Sequence, residues 1–320
     1  MKGLIFTGVN EPLVYGEVPM QSTEGRVEVK LKAAALNRRD YWITQGLYPG
    51  IVTPTVLGSD GCGSYKGREV LLSPNINWGE SQKLPSTEYD IIGLKEHGTF
   101  AESILVRESS IFDKPDHLTA FQAAALPLGG LTAYRALMTK GQVEAGDNVL
   151  ISGIGGGVAL FAFQFAVAVG AEVYVTSSSE EKIAKAVSMG AQGGANYTSR
   201  KSMRNLLKET GGFDVIIDSA CGDGFPQLIK LAKPGAQIVV YGGTSGNING
   251  IIPATVFFKQ LSIHGTTMGS DKEFRAMLAL VEKHKIIPVV DTILELSEGQ
   301  KAIEMMESSP QFGKIVLEIS

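Results

Sequence analysis

The chain has 320 residues with a net charge of −4, longer than one hydrophobic core usually serves, so two domains are expected. It shows no Lys/Arg cluster and no basic helix face, which argues against a nucleic-acid partner, and its two cysteines, Cys62 and Cys221, lie far apart as in a reducing compartment. The opening MKGLIFTG lacks a signal-peptide core and the longest apolar run, 158–171, is too short to span a bilayer, so the expectation is a cytoplasmic protein without a membrane partner.

Residues 1–119 carry short β-like segments punctuated by Gly and Pro, among them 26–34 (RVEVKLKAA), 67–72 and 101–106, the pattern of an antiparallel, partly open barrel. Asn37 stands at an N-cap position for a helix through 41–45, and Asp40 completes a capping-box-like pair. Residues 75–95 read as a long irregular loop.

From Ala120 the pattern changes to alternating helix and strand. Helices at 120–126 and 129–139 precede strands at 148–152, 172–176, 214–218, 236–241 and 261–266, with helical patterns at 180–188, 200–209 and 223–232 between them. Such alternation implies an α/β domain with a parallel, doubly wound sheet. A helix at 272–285, a strand at 289–295, a helix at 297–308 and a strand at 314–318 follow, and these last elements are free to return to the N-terminal domain.

The densest signal is 148–182, NVLISGIGGGVALFAFQFAVAVGAEVYVTSSSEEK, which reads as strand, glycine turn, apolar helix at 158–170 and second strand. That is a phosphate-binding βαβ unit. Gly153 and Gly155 fit G-x-G-x-x-G, the third position is Val158, and Gly153-x-x-Gly156-x-x-Ala159 is the better frame; Gly157 completes the turn. An ordinary glycine-rich turn is the competing reading. The second strand ends in Thr176, Ser177, Ser178 and Ser179, with Lys182 close behind, where an NAD site places an acid for the ribose 2′-OH. Hydroxyls and an ammonium suit a 2′-phosphate, hence NADP(H). A plain N-cap beside a solvated Lys182 is the alternative.

The segments AAALNRRDYWITQGLYPG (33–50), PTVLGSDGCG (54–63), GTFAES (98–103), AAALPLGGLTAYRAL (123–137), the glycine loop, SSSEEK (177–182), ANY (195–197) and FGKIVLEI (312–319) together resemble the medium-chain dehydrogenase/reductase family, within it the zinc-independent quinone oxidoreductase branch. The resemblance implies a GroES-like, mostly antiparallel β-barrel catalytic domain from 1–119 and 288–320 around an inserted Rossmann NADP-binding domain at 120–287, with the active site in the cleft. In the family's alcohol dehydrogenases the first zinc ligand is a Cys where this chain has Asn37, and the second is the His of a His-Glu pair where it has Ser59-Asp60. The four-cysteine structural-zinc lobe is missing, since 75–95 holds no Cys, and His97, His117, His264 and His284 are scattered. No metal is therefore expected.

By the same resemblance Asn37 faces the nicotinamide ribose, and Tyr41, Trp42 and Tyr48 line the substrate cleft, although core packing competes for Tyr41 and Trp42. Thr132, Tyr197, Gly242, Gly243, Met268 and Lys314 border the cofactor, with turn or surface roles as the alternative. The implied function is NADPH-dependent hydride transfer to a small quinone or α,β-unsaturated carbonyl. A zinc-type alcohol dehydrogenase and an NADPH-binding sensor without turnover are the rival readings. Residues 255–267 (TVFFKQLSIHGTT) read as an apolar edge strand that pairs with its own copy in a homodimer.

Overall fold

The computed structural model describes residues 1–19, 23–308 and 311–320. Two compact units emerge, one of Met1–Gly129 with Ser270–Ser320, the other of Gly130–Gly269.

The first unit is mostly antiparallel. Its larger sheet runs, in spatial order, Ile111–Asp113, Arg68–Leu72, Asp60–Tyr65, Val27–Ala35, Lys314–Glu318 and Val290–Glu295, with Ser103–Val106 pairing along the first half of Val27–Ala35. Alternation in VEVKLKAAA turns Val29 and Leu31 inward and leaves Glu28, Lys30 and Lys32 exposed. At its end the strand is buried on both faces and is opposed by Asp60 on one side and Val316 on the other, both at Ala35. That register brings the starts of two distant strands, at Asp60 and at Lys314, to the point where the chain leaves for Asn37.

The small residues Ala33–Ala35 also let the helix Ala120–Ala125 pack its buried alanines onto the sheet. Residues 120–129 and 270–287, grouped with the Rossmann part by the resemblance, cluster with the first unit. Their helices continue the βα alternation locally, but their buried faces go elsewhere: Phe274 of the helix Asp271–His284 sits 4.8 Å from Phe112. The stretch 75–95 is more ordered than an irregular loop. Asn75–Ile76 pairs with Asp90–Ile91, and the buried Trp78 donates from Nε1 to the Ser81 carbonyl at 2.8 Å.

The second unit holds a six-stranded parallel sheet. Its spatial order is Gly193–Asn196, Glu172–Ser177, Asn148–Ile151, Phe213–Asp218, Ala232–Val240, Ser262–Gly265. The chain order thus reverses beside Asn148–Ile151, the doubly wound arrangement whose ligands bind outside the carboxyl ends of the strands. The helix Gly157–Ala168 buries Phe161, Phe163 and Phe165. Truncating any one of them to Ala would cost about 3–5 kcal/mol.

The segment 255–267 is not one strand. Pro253 opens a helix, Pro253–Phe258, because its fixed φ suits a first helical turn, and only Ser262–Gly265 pairs at the sheet edge. The predicted helix at 129–139 divides into the α-helix Pro127–Tyr134 and a π-helical stretch, Arg135–Lys140.

Candidate active site

In the second unit the glycine turn is tied to strands on both sides. The Gly153 N–H donates to Thr176 Oγ1 at 3.2 Å and the Ile154 N–H to the Thr176 carbonyl at 2.8 Å. On the other side the Ser152 N–H donates to the Ile217 carbonyl at 3.0 Å, and the Ser152 hydroxyl bonds to Asp218, which also accepts from the Cys221 N–H at 2.8 Å. Gly153 and Gly155 hold φ of +64° and +126°, where a side chain is strained. A Cβ at Gly153 or Gly156 would project into open space rather than into protein. The helix Gly157–Ala168 starts at Gly156 without a side-chain cap, so its first N–H groups and positive end, at Gly157 and Val158, remain for a ligand. An anionic pyrophosphate fits this cradle.

The neighbouring strand ends complete the edge. Register pairs Ser177 with Asn196, which sets Ser177 and Ser178 beside Tyr197, itself 54% exposed. The hydroxyls divide their work: Thr176 braces the glycine turn, Ser177 is buried and accepts from the Ser179 N–H at 3.1 Å, and Ser179 caps the helix Glu180–Ser188 by accepting from the Lys182 N–H at 3.3 Å. Ser178 is exposed. Gly242 and Gly243 follow the strand Ala232–Val240, whose last carbonyl accepts from the Thr266 N–H at 2.9 Å. Met268, buried at φ +46°, lies 3.9 Å through Sδ from the Thr132 hydroxyl.

In the first unit a buried polar network surrounds Asn37. Asn37 N-caps the helix Arg38–Thr44, and Asp40 accepts from the Asn37 backbone N–H at 2.7 Å. The Asn37 amide donates from Nδ2 to Asp60 Oδ2 at 2.9 Å and accepts at Oδ1 from Lys314 Nζ at 2.6 Å. Lys314 also reaches Asp60 at 3.2 Å, and the second Asp60 oxygen accepts from the Leu128 N–H at 2.8 Å. Burial pushes the Asp60 carboxyl above its ordinary range against the pull of Lys314, and raises that of Asp40 to about 6.

Arg39 lies next to this network. Its Nη1 bonds to the Ser59 hydroxyl and to the Ile92 carbonyl at 3.1 Å, and Ser59 in turn donates to that carbonyl at 2.7 Å. The Tyr48 ring lies 4.9 Å from the guanidinium. Asn37 and Tyr48 are thus gathered around Asp60 and Arg39. The Trp42 ring instead lies 5.3 Å from that of Tyr41, tilted by 56°, and 5.4 Å from the Arg38 guanidinium. Lys314, expected at the cofactor edge, is buried and pairs with Asp60 at 3.2 Å. The sequence reading missed Arg39 and the role of Asp60. The available signal was two opposite charges, Asp60 and Lys314, each opening a strand whose first four residues are buried.

Residues 23–116 match the alcohol dehydrogenase GroES-like domain, and residues 157–283 match the zinc-binding dehydrogenase family. The chain is 38% identical to the zinc-type alcohol dehydrogenase-like protein YogA of Leptosphaeria maculans, over 92% of this chain and 90% of that one. A quinone oxidoreductase of Pseudomonas aeruginosa is 27% identical over 93% of each chain. A solved NAD-dependent alcohol dehydrogenase matches the fold with a TM-score of 0.93 at 33% identity, covering 100% of both chains. The chain belongs to the medium-chain dehydrogenase/reductase superfamily and is an oxidoreductase of it.

Zinc stands in the names of this family and of that relative, yet the residues here do not fit it. Protein zinc ligands come from Cys, His, Asp or Glu. At the two ligand positions of the resemblance stand an amide held by Asp60 and Lys314, and a hydroxyl held by Arg39 and the Ile92 carbonyl. The Asp60 carboxylate beside them is already taken up by Lys314, by the Asn37 amide and by the Leu128 N–H. Among the described residues no three His, Cys, Asp or Glu side chains gather as a metal site.

Proposed function

We propose that the chain is an NADPH-dependent oxidoreductase that reduces a quinone or an α,β-unsaturated carbonyl without a metal. What supports this reading is that the two zinc-ligand positions of the resemblance hold an amide, Asn37, and a hydroxyl, Ser59, each fixed by hydrogen bonds, the first to Lys314 and Asp60 and the second to Arg39. A saturated carbonyl needs strong polarisation before it accepts hydride. A conjugated acceptor spreads the arriving charge onto oxygen, where positioned donors suffice.

Bound NADPH supplies the hydride, and a proton from water completes the reduction. Gly153, Gly155, Gly156, Gly157 and Val158 would hold the pyrophosphate through backbone N–H groups. Ser177, Ser178, Lys182 and Tyr197 would surround the 2′-phosphate, and Thr132, Gly242, Gly243 and Met268 would border the rest of the cofactor. Asn37, its amide fixed through both Oδ1 and Nδ2, keeps a second N–H for an acceptor oxygen, with the Tyr48 hydroxyl as a further donor.

The test is NADPH oxidation by EDTA-treated protein with menadione, an enal, a simple aldehyde and, in reverse, saturated alcohols. Turnover with the first two and little with the others is expected. The name of the 38% identical relative favours alcohol oxidation instead. Stoichiometric zinc, with activity lost on chelation and restored by zinc, would establish that second reading. Tight NADPH binding with no oxidation by any acceptor would point to a sensor.

A further inference from the structure

Arg39 is 7% exposed, and its hydrogen bonds use Nη1 alone, on the neutral oxygens of Ser59 and Ile92. The two remaining nitrogens, Nε and Nη2, are buried and have no hydrogen-bond partner. These two form the side-on fork of the guanidinium, whose parallel N–H bonds match the two oxygens of a carboxylate. An arginine anchored at one corner with its fork open is oriented in advance for such a ligand. A buried donor left without an acceptor carries a desolvation penalty that an anionic oxygen pair would remove.

What covers the fork also suggests how a ligand arrives. The Tyr48 ring faces the guanidinium at 4.9 Å, and Tyr48 belongs to a turn bounded by Gly46 and Gly50 at φ +70° and +84°. The tip of that turn, Leu47, is 67% exposed. The hydrogen bonds that join Asn37, Asp60 and Lys314 to one another, to Asp40 and to Leu128 do not involve this turn, so its movement is a route by which a ligand can reach the guanidinium.

We propose that Arg39 is a substrate-positioning residue whose Nε/Nη2 fork receives a carboxylate carried by the conjugated acceptor. The preferred acceptor is then a conjugated carbonyl that carries a carboxylate, with neutral ones as poorer substrates. The inference rests on the hydride-transfer reading for the word substrate, but the carboxylate site can be tested without turnover.

Two measurements separate the two claims. In the first, calorimetry follows levulinate, a saturated keto acid, binding to the NADP⁺-saturated protein. Wild type should bind it, while Arg39→Gln and Arg39→Lys, checked for folding by circular dichroism, should bind at least about tenfold more weakly, since the charged fork bonds are lost. In the second, NADPH oxidation is compared with trans-acetylacrylate and its methyl ester. Both variants should raise KM for the acid at least about tenfold more than they raise KM for the ester, whatever loss of kcat the two acceptors share; an equal rise for acid and ester would overturn the carboxylate contact. Levulinate that fails to bind wild type, or binds all three proteins equally, overturns the carboxylate site. Arg39-dependent levulinate binding with no turnover of either acceptor leaves the site standing and removes the hydride-transfer reading. Arg39→Lys, which keeps the charge and loses the fork, covers the case in which Arg39→Gln does not fold.

Discussion

Lys314 and Asp60 are 5% and 0% exposed at the side chain, so either one alone would be a charge without water or counterion. Replacing Lys314 by Met should therefore cost about 3–5 kcal/mol, and Asp60→Asn in the same chain should recover most of it, because it removes the stranded charge. Urea unfolding of the two single variants and the double variant measures this; additive losses would show that the pair is not coupled. Asp40 makes a second prediction. Its carboxyl is lifted by burial from 3.8 to about 6, so the folded protein holds that proton more tightly than the unfolded chain does. The resulting stability is fully present below about pH 4 and is lost as pH rises to about 6, an amount of about 3 kcal/mol. Asp40→Asn still offers an acceptor to the Asn37 N–H and should flatten that part of the curve; denaturant midpoints from pH 4 to 7 that fall equally in both proteins would refute it. The Asn37–Asp40 cap was legible in the sequence because it spans three residues. Its partnership with Lys314 spans 277 and leaves no local trace.

At the scale of elements, legibility followed local chemistry. The helix Glu180–Ser188 was readable to the residue, since a serine cap, two first-turn acids and a strongly amphipathic pattern agree. The strand Gly193–Asn196, GGAN, has no β-branched or aromatic residue and forms because Glu172–Ser177 pairs with it. The glycine turn was plain in the sequence, but its bracing by Thr176 and by Ser152 with Asp218 was not, because those bonds cross between strands. This element carries the cofactor prediction. With no acid at the end of Glu172–Ser177 and with Ser177, Ser178 and Lys182 nearby, NADPH should bind at least about tenfold more tightly than NADH. Lys182→Ala should erase much of that difference. Equal dissociation constants in wild type by fluorescence titration would sink the assignment.

For the whole molecule, the outer strand Ser262–Gly265 is an open sheet edge, and near it in the chain Ile252, Phe257 and Phe258 are 61%, 55% and 80% exposed. Open edges beside exposed apolar side chains invite a matching copy. We expect a dimer through this edge, by light scattering at micromolar concentration, and monomers from a Phe257→Ser/Phe258→Ser variant. A monomeric wild type would count against it. No helix among the described residues is long and apolar enough to cross a membrane.

The first unit is interrupted by residues 130–269, which is 140 residues of another fold between its two parts. At the usual 5–20 residues per second, a ribosome takes roughly 7–28 s to make that insert. Throughout this interval the end of the strand, Ala33–Ala35, waits with one side unpaired beside a carboxylate that has no cation, because Lys314–Glu318 does not yet exist. The contiguous second unit can fold on emergence, whereas the unit bearing Asn37 and Arg39 can close only after Lys314–Glu318 has emerged. Chaperone dependence in the cell should accordingly be concentrated on residues 1–129.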